Sequence, residues 1–234
     1  MRKCLVFDGD DTLWFNAYKY HLPMIKCLEI ICKELKEKSV HPLELLKLHN
    51  HIDKEMVAKA GFKKDRFPLS FVKTYRRICK ERNLIPERRV EQKLLSKAYK
   101  FAIPPFPLVK GARKVLRKLK KRGYYLVLLT AGDRKLQKEK IRYNSLERYF
   151  DQIIITPLNK KEKLKKLAKK FGKENVWMIG NSKKSDIKAA LQIPVKAIYI
   201  PCFTWDYEDV ELDKKLYRKY VIECRNLVQL LEIF

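Results

Sequence analysis

The chain has 234 residues, 46% hydrophobic and 35% charged, enough to bury one large core, or a core with a smaller companion, without covalent staples. Its six cysteines (Cys4, Cys27, Cys32, Cys79, Cys202 and Cys224) are scattered, with no CxxC pair and no histidine cluster at finger-like spacing, which argues against a zinc site or a disulfide framework and suits reduced thiols in a cytoplasmic protein. The formal net charge of +27 attracts phosphate esters, nucleotides or nucleic acid over long range but does not choose among them, and Lys-rich helical faces such as 113–121 are ordinary solvated surface.

The opening residues are basic, but the apolar run that follows, Cys4 to Phe7, meets acid at Asp8 and is too short for a signal peptide or a membrane span. It reads instead as a buried strand that delivers its carboxyl end to a site. From about Trp14 to Phe101 the pattern becomes helical, with Leu22, Ile25, Leu28, Ile31 and Leu35 in one series and Phe71, Tyr75 and Ile78 in another. After the proline-rich break at 103–107, a helix beginning near Gly111 leads into a strand at 124–129, and helices and strands then alternate to the end. The later strands are expected at 152–155, 176–179, 195–200 and 220–223. Alternation of this kind predicts an α/β fold: a three-layer core with a mostly parallel sheet, interrupted after its first strand by a helical insert that packs as a cap. The core is expected to comprise 1–14 and 104–234, and the cap 15–103.

The strongest chemical signal is the turn Asp8-Gly9-Asp10-Asp11-Thr12, where two carboxylates two residues apart can face one ligand, one attacking or binding metal while the other moves protons. Asp also caps helices and turns, so this run gains weight only from its companions. Thr130 follows the second strand and leads into Ala131-Gly132-Asp133, a turn that offers a hydroxyl and backbone N–H groups to phosphate oxygens. The strand at 176–179 ends in Gly180-Asn181-Ser182-Lys183-Lys184-Ser185-Asp186. In a parallel sheet these three strand ends share one edge.

In that order, with a Lys between the second and last segments, the set resembles the haloacid dehalogenase superfamily. The resemblance implies a Rossmann-like core with a helical cap inserted between the first and second motifs. Carried onto this sequence, it makes Asp8 the nucleophile that takes the phosphoryl group, and Asp10 the group that protonates the leaving oxygen and then activates water. Thr130 and Ala131 would bind the phosphoryl group, and Lys160, or else Lys161, would offset charge. Mg2+ would join the Asp8 carboxylate, the Asp10 main-chain carbonyl and a group from the last motif. There Asn181 stands where many relatives have Asp, so Asp186 is expected to be the charged partner, directly or through water. The dehalogenases of the superfamily lack an acid at the position of Asp10, so its presence favours phosphate esters over carbon–halogen bonds.

The implied activity is that of a magnesium-dependent phosphohydrolase acting on small-molecule phosphate monoesters. A phosphoryl mutase or phosphonate hydrolase on the same fold is the nearest alternative, and a basic nucleic-acid-binding protein that keeps the fold is a more distant one. Within the cap, 61–68 mixes turn, aromatic and basic residues, and Arg66 is the candidate to grip an anionic substrate group, with Phe62 and Phe67 otherwise simply packing the cap. The loop 201–208 resembles a loop seen in some relatives, its aromatics either bordering the site or simply packing, and the four histidines (His21, His41, His49, His51) show no metal-ligand spacing.

Overall fold

The computed structural model describes residues 2–35, 40–202 and 208–234, and the chain divides into two compact units, one of 1–17 with 104–234 and one of 18–103. The larger unit begins with β1 (Cys4–Phe7) and resumes with α5 (Ala112–Lys121), β2 (Tyr125–Ala131) and α6 (Arg134–Tyr143). It continues through β3 (Gln152–Thr156), α7 (Lys161–Phe171), β4 (Val176–Gly180) and the short α8 (Lys188–Leu191). The chain ends with β5 (Lys196–Tyr199), α9 (Lys214–Tyr220), β6 (Val221–Glu223) and α10 (Leu230–Ile233). Every pairing in the sheet is parallel and the strand order is β3-β2-β1-β4-β5-β6.

Strand periodicity explains the layers. Leu5, Phe7, Leu126, Leu128 and Ile179 face one side of the sheet, where Val115, Leu116 and Leu119 of α5, Ile141 of α6 and Leu230 of α10 cover them. Cys4, Val6, Val127, Leu129 and Met178 face the other side, against Leu164, Leu167 and Ala168 of α7 and Ala190 and Leu191 of α8. Both faces are therefore apolar, which is why the strands read as continuous hydrophobic runs. In this strand order β1 and β4 are neighbours whose connections leave in opposite directions, and the carboxyl ends on either side of β1 form the crevice of a doubly wound sheet. Phe7 is in register with Leu128 of β2 and Ile179 of β4, so Asp8, Thr130 and Asn181 stand one or two residues beyond one common level.

The smaller unit is helical: α1 (Ala17–Glu34, its first residue in the larger unit), α2 (Pro42–Ala60), α3 (Arg66–Glu81) and α4 (Arg88–Ala98). Phe71, Tyr75 and Ile78 are buried as the helical spacing predicts. On α1 the buried stripe is instead Cys27, Ile31 and Leu35, while Leu22 and Ile25 are 58% and 60% exposed. Cysteine behaves there as a small apolar residue and rotates the buried face away from the Leu-Ile series. Phe67 anchors an aromatic cluster, with ring centroids 4.9 Å from Tyr20, 5.0 Å from Phe71 and 5.3 Å from Phe101. Among the described residues no helix is long and apolar enough to cross a membrane.

Candidate active site

Asp8 leaves β1 while still tied to the sheet, its N–H donating to the Ile179 carbonyl at 2.9 Å. The chain then folds back tightly: the N–H groups of Thr12, Leu13 and Trp14 all point to the Gly9 carbonyl. Asp11 takes the left-handed conformation at φ 58°, and its carboxylate accepts from the N–H groups of Asn16 and Ala17 where α1 begins. Burial pushes that carboxyl up to about 6, against the pull of those two N–H donors. Gly9 is required by close approach, because a Cβ there would run into the Trp14 ring and lie 3.0 Å from Thr130 Oγ1. The same distance shows that the Thr130 hydroxyl lies directly beside the turn that follows Asp8.

The Asp8 carboxylate is buried, at 5% exposure, and its Oδ1 accepts from Lys160 Nζ. Lys160 also donates to Asp186 Oδ1 at 2.7 Å, and the second Asp186 oxygen accepts from the Ser182 N–H at 3.0 Å. Gly180 has no room for a Cβ because the Asp186 carboxylate lies against it. Burial raises the Asp8 carboxyl above the ordinary carboxylate range, opposed by Lys160 and reinforced by Asp186. Burial raises Asp186 as well, and although burial disfavours a charged Lys160, the two carboxylates together hold its ammonium charged. Two buried carboxylates thus share one ammonium, leaving the cluster short of positive charge.

On the other side of Asp8, Thr12 Oγ1 lies 3.5 Å from Asp8 Oδ2 and donates to Asn181 Oδ1 at 3.1 Å. A carboxylate oxygen and an amide oxygen therefore meet around one hydroxyl. Among the described residues no group of three or more His, Cys, Asp and Glu side chains is arranged to hold a metal. The donor set at the end of β1 is instead oxygen-only, with one carboxylate and one amide, beside a cluster deficient in positive charge, which is chemistry that fits a hard divalent cation such as Mg2+.

Thr130 is the last buried residue of β2, within the strand rather than after it, and its Oγ1 is buried without a hydrogen-bond partner among the described residues. Nearby, Gly132 donates to the Thr156 carbonyl, and Lys135 and Leu136 donate to the Asp133 side chain that caps α6. The Ala131 carbonyl accepts from Gln137 Nε2 at 3.0 Å.

Of the two candidate lysines, Lys160 is 3% exposed and on Asp8, whereas Lys161 opens α7 half-exposed. Asp186, expected to be the charged partner of the metal directly or through water, accepts from Lys160 Nζ at one oxygen and from the Ser182 N–H at the other, and Asn181 Oδ1 accepts from the Thr12 hydroxyl that lies beside Asp8. Arg66 is 8% exposed and ion-paired through Nη1 with Asp53 of α2 inside the helical unit, while its Nε is buried without a hydrogen-bond partner among the described residues. In the loop 201–208, residues 203–207 lie outside the described residues, while Glu208 is buried and accepts from Ser182 and Ser185.

Two polar residues of α6 escaped the sequence reading. Asp10 Oδ1 accepts from Trp14 Nε1 at 2.5 Å and from Lys140 Nζ at 2.7 Å, and Asp10 Oδ2 accepts from Gln137 Nε2 at 2.8 Å. Lys140 is 1% exposed and also donates to Asn16 Oδ1 at 2.7 Å. Lys140 stands four residues after Leu136 and next to Ile141, both buried, so its place on the apolar stripe of α6 was the available signal.

Known proteins are similar to this chain in sequence and fold. A family described as haloacid dehalogenase-like hydrolase matches residues 5–200. Glyceraldehyde 3-phosphate phosphatase of Pyrococcus furiosus is 29% identical over 241 aligned positions, which cover 99% of this chain and 92% of that protein. Among solved structures, a haloacid dehalogenase-like family hydrolase from Xanthomonas campestris superposes with a TM-score of 0.76 at 22% identity, covering 99% of this chain and 94% of the other. The putative hydrolase YfnB of Bacillus subtilis, bound to magnesium, superposes with a TM-score of 0.63 at 18% identity over 99% of this chain and 98% of its own. With the sheet order and the strand-end residues already placed, the match over most of the chain shows that this protein belongs to the haloacid dehalogenase-like hydrolases.

Proposed function

We propose that this haloacid dehalogenase-type phosphatase hydrolyses small-molecule phosphate monoesters through an aspartyl-phosphate on Asp8. The observation that carries the reading is the buried, partnerless Thr130 hydroxyl beside Gly9 and the buried Asp8 carboxylate. A hydroxyl sequestered without a partner is costly unless a ligand uses it, and a phosphoryl oxygen facing Asp8 would do so.

In the first half-reaction an Asp8 carboxylate oxygen bonds to phosphorus as the ester P–O bond breaks, and Asp10 gives its proton to the departing alkoxide. In the second, Asp10 takes a proton from water, the water oxygen bonds to phosphorus, and the bond to Asp8 breaks to free inorganic phosphate. Lys160, between Asp8 and Asp186, keeps the nucleophile fixed and offsets the charge gathered there. The Asp8 carboxylate, the Asp10 main-chain carbonyl and Asn181 would hold Mg2+, with Asp186 as its further charged partner, directly or through water. When bound, the ion supplies charge neutralisation to the phosphoryl group.

The activity named for the Pyrococcus furiosus relative puts glyceraldehyde 3-phosphate first among substrates to try. The test is phosphate release from a panel of phosphorylated metabolites and para-nitrophenyl phosphate, with magnesium and with chelator, by the native protein and Asp8→Asn. Metal-dependent release that matches substrate consumed and vanishes in the variant supports hydrolysis. Substrate consumed without inorganic phosphate would mean transfer to a second acceptor instead.

A further inference from the structure

We infer that Lys140 and Gln137 of α6 are positioning residues for Asp10, holding its carboxylate where it can exchange a proton with the leaving group. The inference rests on the phosphatase reading above and adds two residues to it.

The protein has 54 Lys and Arg residues, and lysines ordinarily keep their ammonium in water. Lys140 is 1% exposed. Burying an ammonium costs several kcal/mol unless charge and hydrogen bonds compensate. Its two partners are Asp10 Oδ1 and Asn16 Oδ1, both at 2.7 Å, so the compensation comes from Asp10 and from the segment that leads out of the nucleophile turn. Gln137, 2% exposed and one helical step earlier on the same face, reaches the other Asp10 oxygen at 2.8 Å and steadies its own amide on the Ala131 carbonyl at 3.0 Å. Gly132 makes that reach available, since a Cβ there would lie 3.2 Å from Gln137 Cγ and 3.3 Å from its Cδ, besides meeting Nε2. With the Trp14 indole, three donors from two separate segments fix both oxygens of one carboxylate that is itself 23% exposed. Such restraint serves a group that must meet a reacting atom more than one that only caps a turn.

The plain structural alternative is that the Lys140–Asp10 pair merely fastens α6 to the β1 turn. Single-turnover measurements on the full-length protein with saturating magnesium separate the two, using an alkyl phosphate, whose alkoxide must be protonated, and para-nitrophenyl phosphate, whose nitrophenolate need not be. Lys140→Met is expected to slow the alkyl phosphate by about 100-fold, the penalty of misplacing a catalytic group by about an ångström, and to slow the aryl phosphate by at least roughly tenfold less. In an Asp10→Asn background the same substitution is expected to add less than about threefold to the alkyl loss, because residues acting through one group are not additive. Gln137→Met, which removes a neutral donor and no charge, carries the same cycle if Lys140→Met does not fold. Equal slowing of both phosphates, or a full extra loss in the Asp10→Asn background, would overturn the positioning role. Absence of magnesium-dependent nitrophenolate release from the native protein would instead overturn the phosphatase reading itself.

Discussion

Replacing Thr130 with valine separates stability from function at the point where the account is most exposed. Thr to Val normally costs stability, because a buried hydroxyl normally has a partner. Thr130 is fully buried and its Oγ1 has none among the described residues. Removing that hydroxyl relieves a desolvation penalty of about 1–3 kcal/mol, and the methyl that replaces it adds about 0.8 kcal/mol of apolar burial. Against this stands crowding next to Gly9, whose Cβ position is 3.0 Å from Oγ1. The expected net is a variant as stable as the native protein or up to about 2 kcal/mol more stable. A hydroxyl donating to a charged phosphoryl oxygen is worth about 1.5–3 kcal/mol, so kcat/KM should fall by about 10–150-fold. Urea denaturation and steady-state kinetics on one preparation read both quantities. Thr130→Ser should recover most of the activity while losing about 1 kcal/mol with its methyl. A valine variant that is more than about 1 kcal/mol less stable and retains activity within about threefold would refute the assignment of the hydroxyl to the ligand.

Other perturbations test neighbouring parts of the site and of the helical unit. Lys160→Met leaves Asp8 and Asp186 buried without their shared ammonium and should destabilise by about 3–5 kcal/mol in chemical denaturation, whereas Lys161→Ala should stay within about 0.5 kcal/mol. Gly9→Ala drives a methyl into Trp14 and should cost about 1–3 kcal/mol in the same assay while also lowering turnover through the Trp14 contact to Asp10. Burial, with the nearby Arg66 charge, pulls the His49 imidazole down to about 3 from its ordinary 6.5. Between those values the unfolded chain binds a proton that the folded chain refuses, so stability is fully present above 6.5 and falls by about 1.4 kcal/mol for each pH unit of acidification toward 3. His49→Phe, which keeps the ring stacked 3.9 Å from Phe71, should make the acid dependence of the denaturation midpoint shallower by that amount, and an unchanged slope would contradict the buried neutral histidine.

The sheet was legible because its strands are buried on both faces and so stand out as apolar runs between helical segments. Its parallel order then brought the ends of β1, β2 and β4 together without reference to any side chain. Side-chain assignments depended on finer cues. Lys160 and Lys161 are adjacent in a basic stretch, and only the helix start, which turns Lys160 inward, distinguishes them. Asp186 was read by its charge, and its pairing with Lys160 and the Ser182 N–H is a tertiary arrangement that spacing does not reveal. Arg66 was read as the grip on an anionic substrate group, and its pairing at the start of α3 with Asp53 could not be foreseen because Asp53 carried no signal of its own. Lys140 was hidden among Arg134, Lys135, Lys138 and Arg142, where composition suggests solvent and only the period of Leu136 and Ile141 marks the buried face.

The most direct test of the account asks whether phosphate becomes bonded to Asp8. The native protein, mixed with magnesium and a radiolabelled phosphate monoester and quenched in acid during turnover, should carry label that peptide mapping places on Asp8, and Asp8→Asn should carry none and release no phosphate. Label mapped to another residue, or phosphate release by Asp8→Asn at the native rate, would contradict the aspartyl-phosphate mechanism.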